Sequence, residues 1–213
     1  MTTTHYSAVE EFFHALSHGT GALLSIAGLI LMLNIAVPLN DGWYLASSLI
    51  YGLSLILLYS SSTLYHAISQ ADIKRRLRQL DHAAIFILIA GTYTPFTLLN
   101  LRDNWGLPLF ALIWTVALAG VIIELATGLK YKKLSLGLYL GMGWLVIIAI
   151  EPMLNHVATG GLLLLLAGGL SYSFGTIFYA WKSLYLHHMI WHLFVLAGSV
   201  LHFFAVYLYA LQR

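Results

Sequence analysis

Residues 157–181 read VATGGLLLLLAGGLSYSFGTIFYAW, a stretch without a single charged side chain. Such a segment is long enough to cross a bilayer as a helix, which needs about 20 consecutive, mostly apolar residues. The rest of the chain shares this character, because 60% of its 213 residues are hydrophobic and only 8% are charged. The mean hydropathy of +0.85 lies far outside the range of soluble domains. The sequence therefore predicts an integral membrane protein.

Charge clusters and Gly, Pro or Asn residues divide the chain into seven apolar segments. They lie at about residues 20–38, 43–66, 81–100, 106–126, 134–151, 157–181 and 187–210. Because the connections are short and no linker interrupts them, we expect one domain over 1–213, an all-α bundle of seven transmembrane helices. The preceding AVEEFFHALSHG, residues 8–19, carries too much charge to span. It predicts a short N-terminal interfacial helix.

The basic residues are distributed unevenly between the two faces of this arrangement. Eight share one face: Lys74, Arg75, Arg76, Arg78, Lys130, Lys132, Lys133 and Lys182. Only Arg102 and Arg213 fall on the other face. The positive-inside rule then predicts a cytoplasmic N-terminus and an external C-terminus, in a multi-pass protein of the cell inner (plasma) membrane. A net charge of +2 is too small for a nucleic-acid-binding surface, so the expected partners are membrane lipids.

Eight of the ten histidines lie towards the predicted cytoplasmic face: His5, His14, His18, His66, His82, His187, His188 and His192. His188 and His192 are four residues apart and therefore share one face of a helix, where two imidazoles can chelate one metal ion. His66 ends the second span at the same depth and is the natural third ligand. Without cysteine, three imidazoles favour zinc. The alternative is that interfacial histidines snorkel or bond to neighbouring loops.

Two more polar side chains are expected at this depth, each with two interpretations. Asp81 is the first residue of the predicted third span, where it either caps the helix or acts as a general base beside the metal. Ser62 lies one turn before His66 in SSSTLYH, residues 60–66. Its hydroxyl either bonds to the backbone of its own helix or donates to a reacting oxygen.

Three stretches resemble the bacterial hemolysin III family over nearly the whole chain: SSTLYHA (61–67), LDHAAIFILIAGTYTPF (80–96) and HHMIWHLFVLAGSVLHFFAVYLY (187–209). That family belongs to the progestin and adiponectin receptor (PAQR) group, in a superfamily that includes alkaline ceramidases. The resemblance implies zinc bound by His66, His188 and His192, with Asp81 and Ser62 beside the metal and its water. Residues 10–24 are also similar to the family's N-terminal pattern, with matches at Glu10, Glu11 and His18. This similarity does not indicate what these three residues do.

Three classes of function follow from these features. The first is a zinc-dependent hydrolase of lipid amides or esters, in which Asp81 takes a proton from water and Ser62 stabilises the oxyanion. The second is a sensor or membrane-homeostasis protein in which structural zinc holds spans two, three and seven together. The third is a pore-forming or hemolytic protein. A pore needs a continuous polar path, and the sparse charge at mid-membrane opposes it. Thr92, Tyr93 and Thr94 are instead expected to line a cavity.

Overall fold

The computed structural model describes residues 6–212, and the side chains of all of these but 103 and 104. His5 and Arg213, which the sequence assigns to opposite faces, lie outside the described residues. The described helices are α1 (Ala8–Ala36), α2 (Gly42–Ala67), α3 (Ala71–Pro95), α4 (Leu107–Thr127), α5 (Lys132–Gly143), α6 (Ile150–His156), α7 (Thr159–Ala180) and α8 (His187–Ala205).

Seven of the resulting helical segments are long and apolar enough to cross a membrane, which confirms the predicted seven-helix bundle. α3 continues through a π-helical turn, Phe96–Asn100, and α8 through another, Val206–Ala210. The fifth segment, Lys132–His156, is composite, because a 3₁₀ turn at Leu145–Ala149 joins α5 to α6. α2 packs between α1 and α3, while α8 pairs with α7 and contacts α1.

The start of α1 corrects one expectation. Ser7 and Glu10 form a capping box, in which the Glu10 backbone N–H donates to Ser7 Oγ at 3.2 Å and the Ser7 N–H donates to Glu10 Oε2 at 2.8 Å. From there the helix continues without a break to Ala36. The segment 8–19 is therefore the first part of the spanning helix and not a separate interfacial helix. Its histidines explain why, since His14 and His18 are buried inside the bundle.

The start of α3 is the second correction. This helix begins at Ala71, well before the predicted residue 81, and its N-cap is Gln70. The basic stretch ADIKRRLRQL, residues 71–80, was excluded from the span by its charge, yet Lys, Arg, Leu and Gln are all good helix formers. Asp81 consequently lies inside α3, where the backbone N–H groups are already bonded. The helix-cap interpretation of Asp81 is wrong.

The contact between α1, α2 and α8 depends on small side chains. A Cβ atom at Gly21 would collide with the ring of Tyr59, so α1 approaches α2 this closely only because residue 21 is glycine. The Tyr59 hydroxyl in turn donates to Ser199 Oγ at 2.7 Å, and the Tyr172 hydroxyl lies 2.7 Å from the same oxygen. These bonds join α2, α7 and α8 beneath the histidines described next.

Candidate metal centre

Imidazole rings from three helices meet at one end of the bundle. His14 comes from α1, His66 from the last turn of α2, and His188 and His192 from the first turns of α8. The ring centroid of His66 lies 4.7 Å from that of His14, 5.2 Å from that of His188 and 5.1 Å from that of His192. The three histidines expected from the sequence are thus neighbours. His14 is a fourth that the sequence interpretation did not include among the ligands.

The geometry of this cluster suits a metal ion. One ring nitrogen each from His14, His66 and His188 lies within 4.8 Å of the other two. Tetrahedral zinc, with bonds of about 2.0–2.1 Å, needs its nitrogen ligands about 3.4 Å apart, so small ring rotations suffice. These three residues could therefore hold a metal ion.

The chemistry of the donor atoms fits as well. Both ring nitrogens of His14, Nε2 of His66 and Nδ1 of His188 are buried without a hydrogen-bond partner among the described residues. Each such orphaned group costs about 1–3 kcal/mol. Convergent neutral imidazole nitrogens are the donor set of zinc, copper and nickel. A bound cation would satisfy several of them together.

Two of the histidines are held so that the same nitrogen remains available. The Nδ1 of His66 donates to Glu11 Oε2 at 2.6 Å, which leaves Nε2 unprotonated. The Nδ1 of His192 lies 3.1 Å from Ser17 Oγ, whose own proton is donated to the backbone carbonyl of His14. Ser17 therefore accepts from His192, and Nε2 of His192 is free as well. A carboxylate or hydroxyl that fixes the tautomer is the usual outer partner of a metal-binding histidine.

Glu11 is itself anchored by the first turn of α3. Its second oxygen, Oε1, forms an ion pair with Lys74 Nζ at 2.9 Å, and Lys74 also donates to the backbone carbonyl of Tyr65 at 2.8 Å. The chain Lys74–Glu11–His66 connects the start of α3, the start of α1 and the end of α2. From the sequence, Glu11 is only a match to the family's N-terminal pattern. Spacing within one helix does not identify its partner.

The five remaining described histidines differ in their surroundings. His18 stacks on His192 with the ring centroids 3.6 Å apart, and both of its nitrogens are buried without a partner. Three others are satisfied by backbone carbonyls at 2.9–3.2 Å: His156, His187 and His202. His82 lies one residue beyond Asp81 and lines the cavity described next.

A cavity of about 150 Å³ begins beside the histidine cluster. Ser62, Asp81, His188 and His192 line it at this end. The structure thus brings Asp81 and Ser62 together with two of the predicted ligands, and the Ser62 hydroxyl interacts with the Asp81 carboxylate. Thr92 and Tyr93 also line the cavity, as expected, but Thr94 does not, because its hydroxyl donates to the Ala90 carbonyl and accepts from the Trp114 indole.

The hydroxyl of Ser62 differs from those of its neighbours. Ser61 Oγ donates to the Leu58 carbonyl at 2.9 Å, and Thr63 Oγ1 donates to the Tyr59 carbonyl at 2.6 Å. Ser62 Oγ is buried and makes no hydrogen bond of regular geometry with any described residue. The backbone-bonded interpretation is therefore wrong for Ser62, whose hydroxyl interacts with the Asp81 carboxylate instead.

The far part of the cavity is apolar and ends inside the bundle. Leu88 and Ile89 of α3 line it, together with Trp144 after α5. The Trp144 indole N–H donates to Ser173 Oγ of α7 at 3.0 Å and joins the two walls. On α8 the lining extends from His188 to His202.

Comparisons with known proteins agree with these features. The sequence model described as Haemolysin-III related matches residues 6–203, nearly the whole chain. The chain belongs to this family. This family member is 43% identical over 207 residues to Hemolysin-3 homolog of Bacillus subtilis (strain 168), an alignment that covers 97% of each chain. It is 44% identical over 211 residues to Hemolysin-3 of Bacillus cereus, covering 99% of this chain and 96% of the relative.

A more distant relative extends the comparison to animals. The chain is 33% identical over 180 residues to the human Monocyte to macrophage differentiation factor, covering 80% of this chain and 73% of that protein. The resemblance found in the sequence is therefore confirmed at the level of the family.

Proposed function

We propose that the protein is a zinc-dependent hydrolase of lipid amides or esters in the plasma membrane. The observation that carries this proposal is the shared cavity. Two of the proposed ligands, His188 and His192, face one space together with the Asp81 carboxylate and the Ser62 hydroxyl, and the remaining walls of that space are mostly apolar. A purely structural metal has no need of such a space, whereas a lipid that presents a carbonyl to the site does.

His66, His188 and His192 are the proposed zinc ligands. Glu11 and Ser17 fix the tautomers of His66 and His192, so both present Nε2, while His14 has no outer partner on either nitrogen. Three protein ligands leave a coordination position for water or substrate. Zinc held there would act as a Lewis acid on a substrate carbonyl and make water easier to deprotonate.

Asp81 and Ser62 supply the remaining chemistry. Asp81 accepts the proton of the attacking water and returns it to the amine or alcohol that leaves. It is positioned for this because it lies within α3 at the cavity wall, next to the Ser62 hydroxyl. When substrate is bound, the Ser62 hydroxyl turns from Asp81 and donates to the carbonyl oxygen as negative charge develops there. The apolar lining beyond them holds the acyl chain away from water.

The test combines metal analysis with turnover. Purified wild-type protein should contain one zinc ion per chain and cleave a ceramide-like amide or an ester lipid in mixed micelles. Asp81→Asn preserves side-chain size but cannot accept the proton, so it should keep zinc and lose turnover. If wild-type protein loaded with zinc cleaves none of these lipids, the hydrolase proposal fails.

One observation favours a second candidate, a structural zinc. The ring centroid of His14 lies 4.7–5.4 Å from those of His66, His188 and His192, and four protein ligands are typical of a closed structural site. In that case the zinc content should fall on His14→Ala, and Asp81→Asn should leave the biological readout unchanged. A lytic role is suggested by the names of the Bacillus relatives, but a cavity that ends inside the bundle does not support a pore through one chain.

A further inference from the structure

Three cations surround the entrance of the cavity. Lys132, the first residue of α5, lines it directly. The ammonium of Lys182, just after α7, lies 4.3 Å from the ring centroid of Tyr179, which also lines it. Arg78 lies one helical turn before Asp81 and His82, two further lining residues. The cations come from three separate segments and meet at one place.

These cations are not neutralised by the protein. Among the described residues, none of the three forms an ion pair within 4.0 Å, although Glu124 attracts Lys132 and Asp81 attracts Arg78 over longer distances. Burial, together with repulsion from Lys132 and Arg78, lowers the pKa of Lys182. An anion bound among them would relieve this repulsion.

A gap between α5 and α7 lies along one side of the cavity. α5 and α7 line it from opposite directions but make little direct contact with each other, apart from the link between Trp144 and Ser173 at its far end. Leu136 and Leu140 form the α5 wall, and Ser173 and Thr176 belong to the α7 wall. Lys132 begins one wall and Lys182 follows the end of the other, so the two lysines flank the gap where it reaches the membrane surface.

We propose that this site binds a lipid with an anionic headgroup, whose phosphate or carboxylate lies among Arg78, Lys132 and Lys182 and whose acyl chain enters between α5 and α7. The inference rests on the proposed hydrolase function and narrows its substrate class. Along α3 the order is Arg78, then Asp81, then the apolar Leu88 and Ile89. With a rise of about 1.5 Å per residue, a headgroup beside Arg78 places the first bonds of the lipid about 5 Å deeper, at Asp81.

The test measures binding without turnover, in protein stripped of metal with a chelator. The probe is a single-chain alkyl phosphate brominated near the chain end, because bromine quenches a nearby indole and Trp144 lies at the far end of the cavity. The matched neutral probe is a monoacylglycerol brominated at the same position. The part of the quenching that wild-type protein shows and Trp144→Phe protein lacks reports a probe bound in the cavity. Wild-type protein should bind the phosphate probe roughly 100-fold more tightly than the neutral probe, given about fivefold per cation.

Two triple variants distinguish specific binding at the three entrance cations from general attraction of the anionic probe to the basic surface. The first replaces the entrance cations: Arg78→Gln, Lys132→Gln and Lys182→Gln. The second removes the same charge from three cations at the same end that are not among the entrance cations: Arg76→Gln, Lys130→Gln and Lys133→Gln. The preference for the phosphate probe should disappear in the first variant and persist in the second. An equal loss of this preference in both variants would show general attraction to the basic surface and overturn the proposal.

Two further outcomes are decisive. Inorganic phosphate at the concentration of the lipid probe should not displace it, since it lacks the chain, and full displacement would overturn the lipid assignment. Equal binding of the two probes by wild-type protein would overturn the headgroup assignment. Neither outcome bears on hydrolysis of neutral lipids, which is measured separately with zinc present, so the proposed function can stand when this inference fails.

Discussion

The contact between Glu11 and His66 gives a sharp test of the metal centre. Glu11 accepts from His66 through Oε2 at 2.6 Å and pairs with Lys74 through Oε1 at 2.9 Å. Glutamine offers only one acceptor oxygen, so Glu11→Gln can preserve at most one of these contacts. It also removes the negative charge that increases the basicity of the His66 ring.

Outer partners of metal-binding histidines typically contribute 10- to 100-fold in affinity, or about 1.4–2.7 kcal/mol. We expect Glu11→Gln to weaken zinc binding by at least about tenfold. The measurement is a titration against a competing chelator in detergent, supported by the visible absorption spectrum of the cobalt-substituted protein. A changed spectrum would report altered ligand geometry, which a loss of helix stability alone would not produce.

The adjacent residue provides a matched control. Glu10 has the same chemistry and lies on the same helix, but its Oε2 accepts from the Ser7 backbone N–H at 2.8 Å and from Ser7 Oγ at 2.9 Å. Glu10→Gln should therefore affect only the helix start, by about 1 kcal/mol or less, with zinc affinity unchanged. Equal zinc affinity in the two variants would refute the role assigned to Glu11.

Three further predictions address topology, ligands and catalysis. A reporter fused after Arg213 should report the external side of the membrane, and a cytoplasmic signal would contradict the assignment of the basic end to the cytoplasm. His192→Ala should purify with little zinc while His14→Ala retains it, as measured by metal analysis; the reverse pattern would replace His192 by His14 in the ligand set. Ser62→Ala should keep zinc and reduce turnover by about 100-fold or more, as for the loss of an oxyanion donor. Ser61→Ala, whose hydroxyl is bonded to its own helix, should retain most activity.

The spans were predictable because each depends on one local property, a run of apolar residues long enough to cross a bilayer. The starts of α1 and α3 were not, because both helices begin with charged residues that hydropathy excludes. A different local signal was available for α1. Ser7 and Glu10 have the spacing of a capping box, which predicts a helix start at Ala8.

The ligand candidates also include some that local spacing predicts and some that only the packing of the helices reveals. His188 and His192 share one helix, so their spacing alone predicts a common face. His14 and His18 repeat that spacing in α1, a signal available in the sequence, but only the packing of α1 against α2 and α8 shows where they point. The contact of Glu11 with His66 joins residues far apart in the chain, and no periodicity within one helix could reveal it.

The cations at the basic end illustrate what a topology rule leaves out. The positive-inside rule counts Lys and Arg residues but is indifferent to whether each has a partner. In the structure Lys74 pairs with Glu11, and Arg75 pairs with Asp72. Among the described residues, Arg78, Lys132 and Lys182 have no such partner; Lys132 lines the cavity, and the other two lie beside residues that line it.

Orientation in the membrane requires only that these charges stay on one side. At a half-buried entrance, cations paired with carboxylates would have a lower free energy than unpaired ones. Leaving the entrance cations unpaired costs repulsion that orientation does not demand. A ligand that brings its own negative charge from the bilayer accounts for that cost. Among the described residues, the nearest carboxylates, Asp81 and Glu124, attract Arg78 and Lys132 but form no ion pair with them within 4.0 Å, so a bound ligand can supply the negative charge that the entrance lacks.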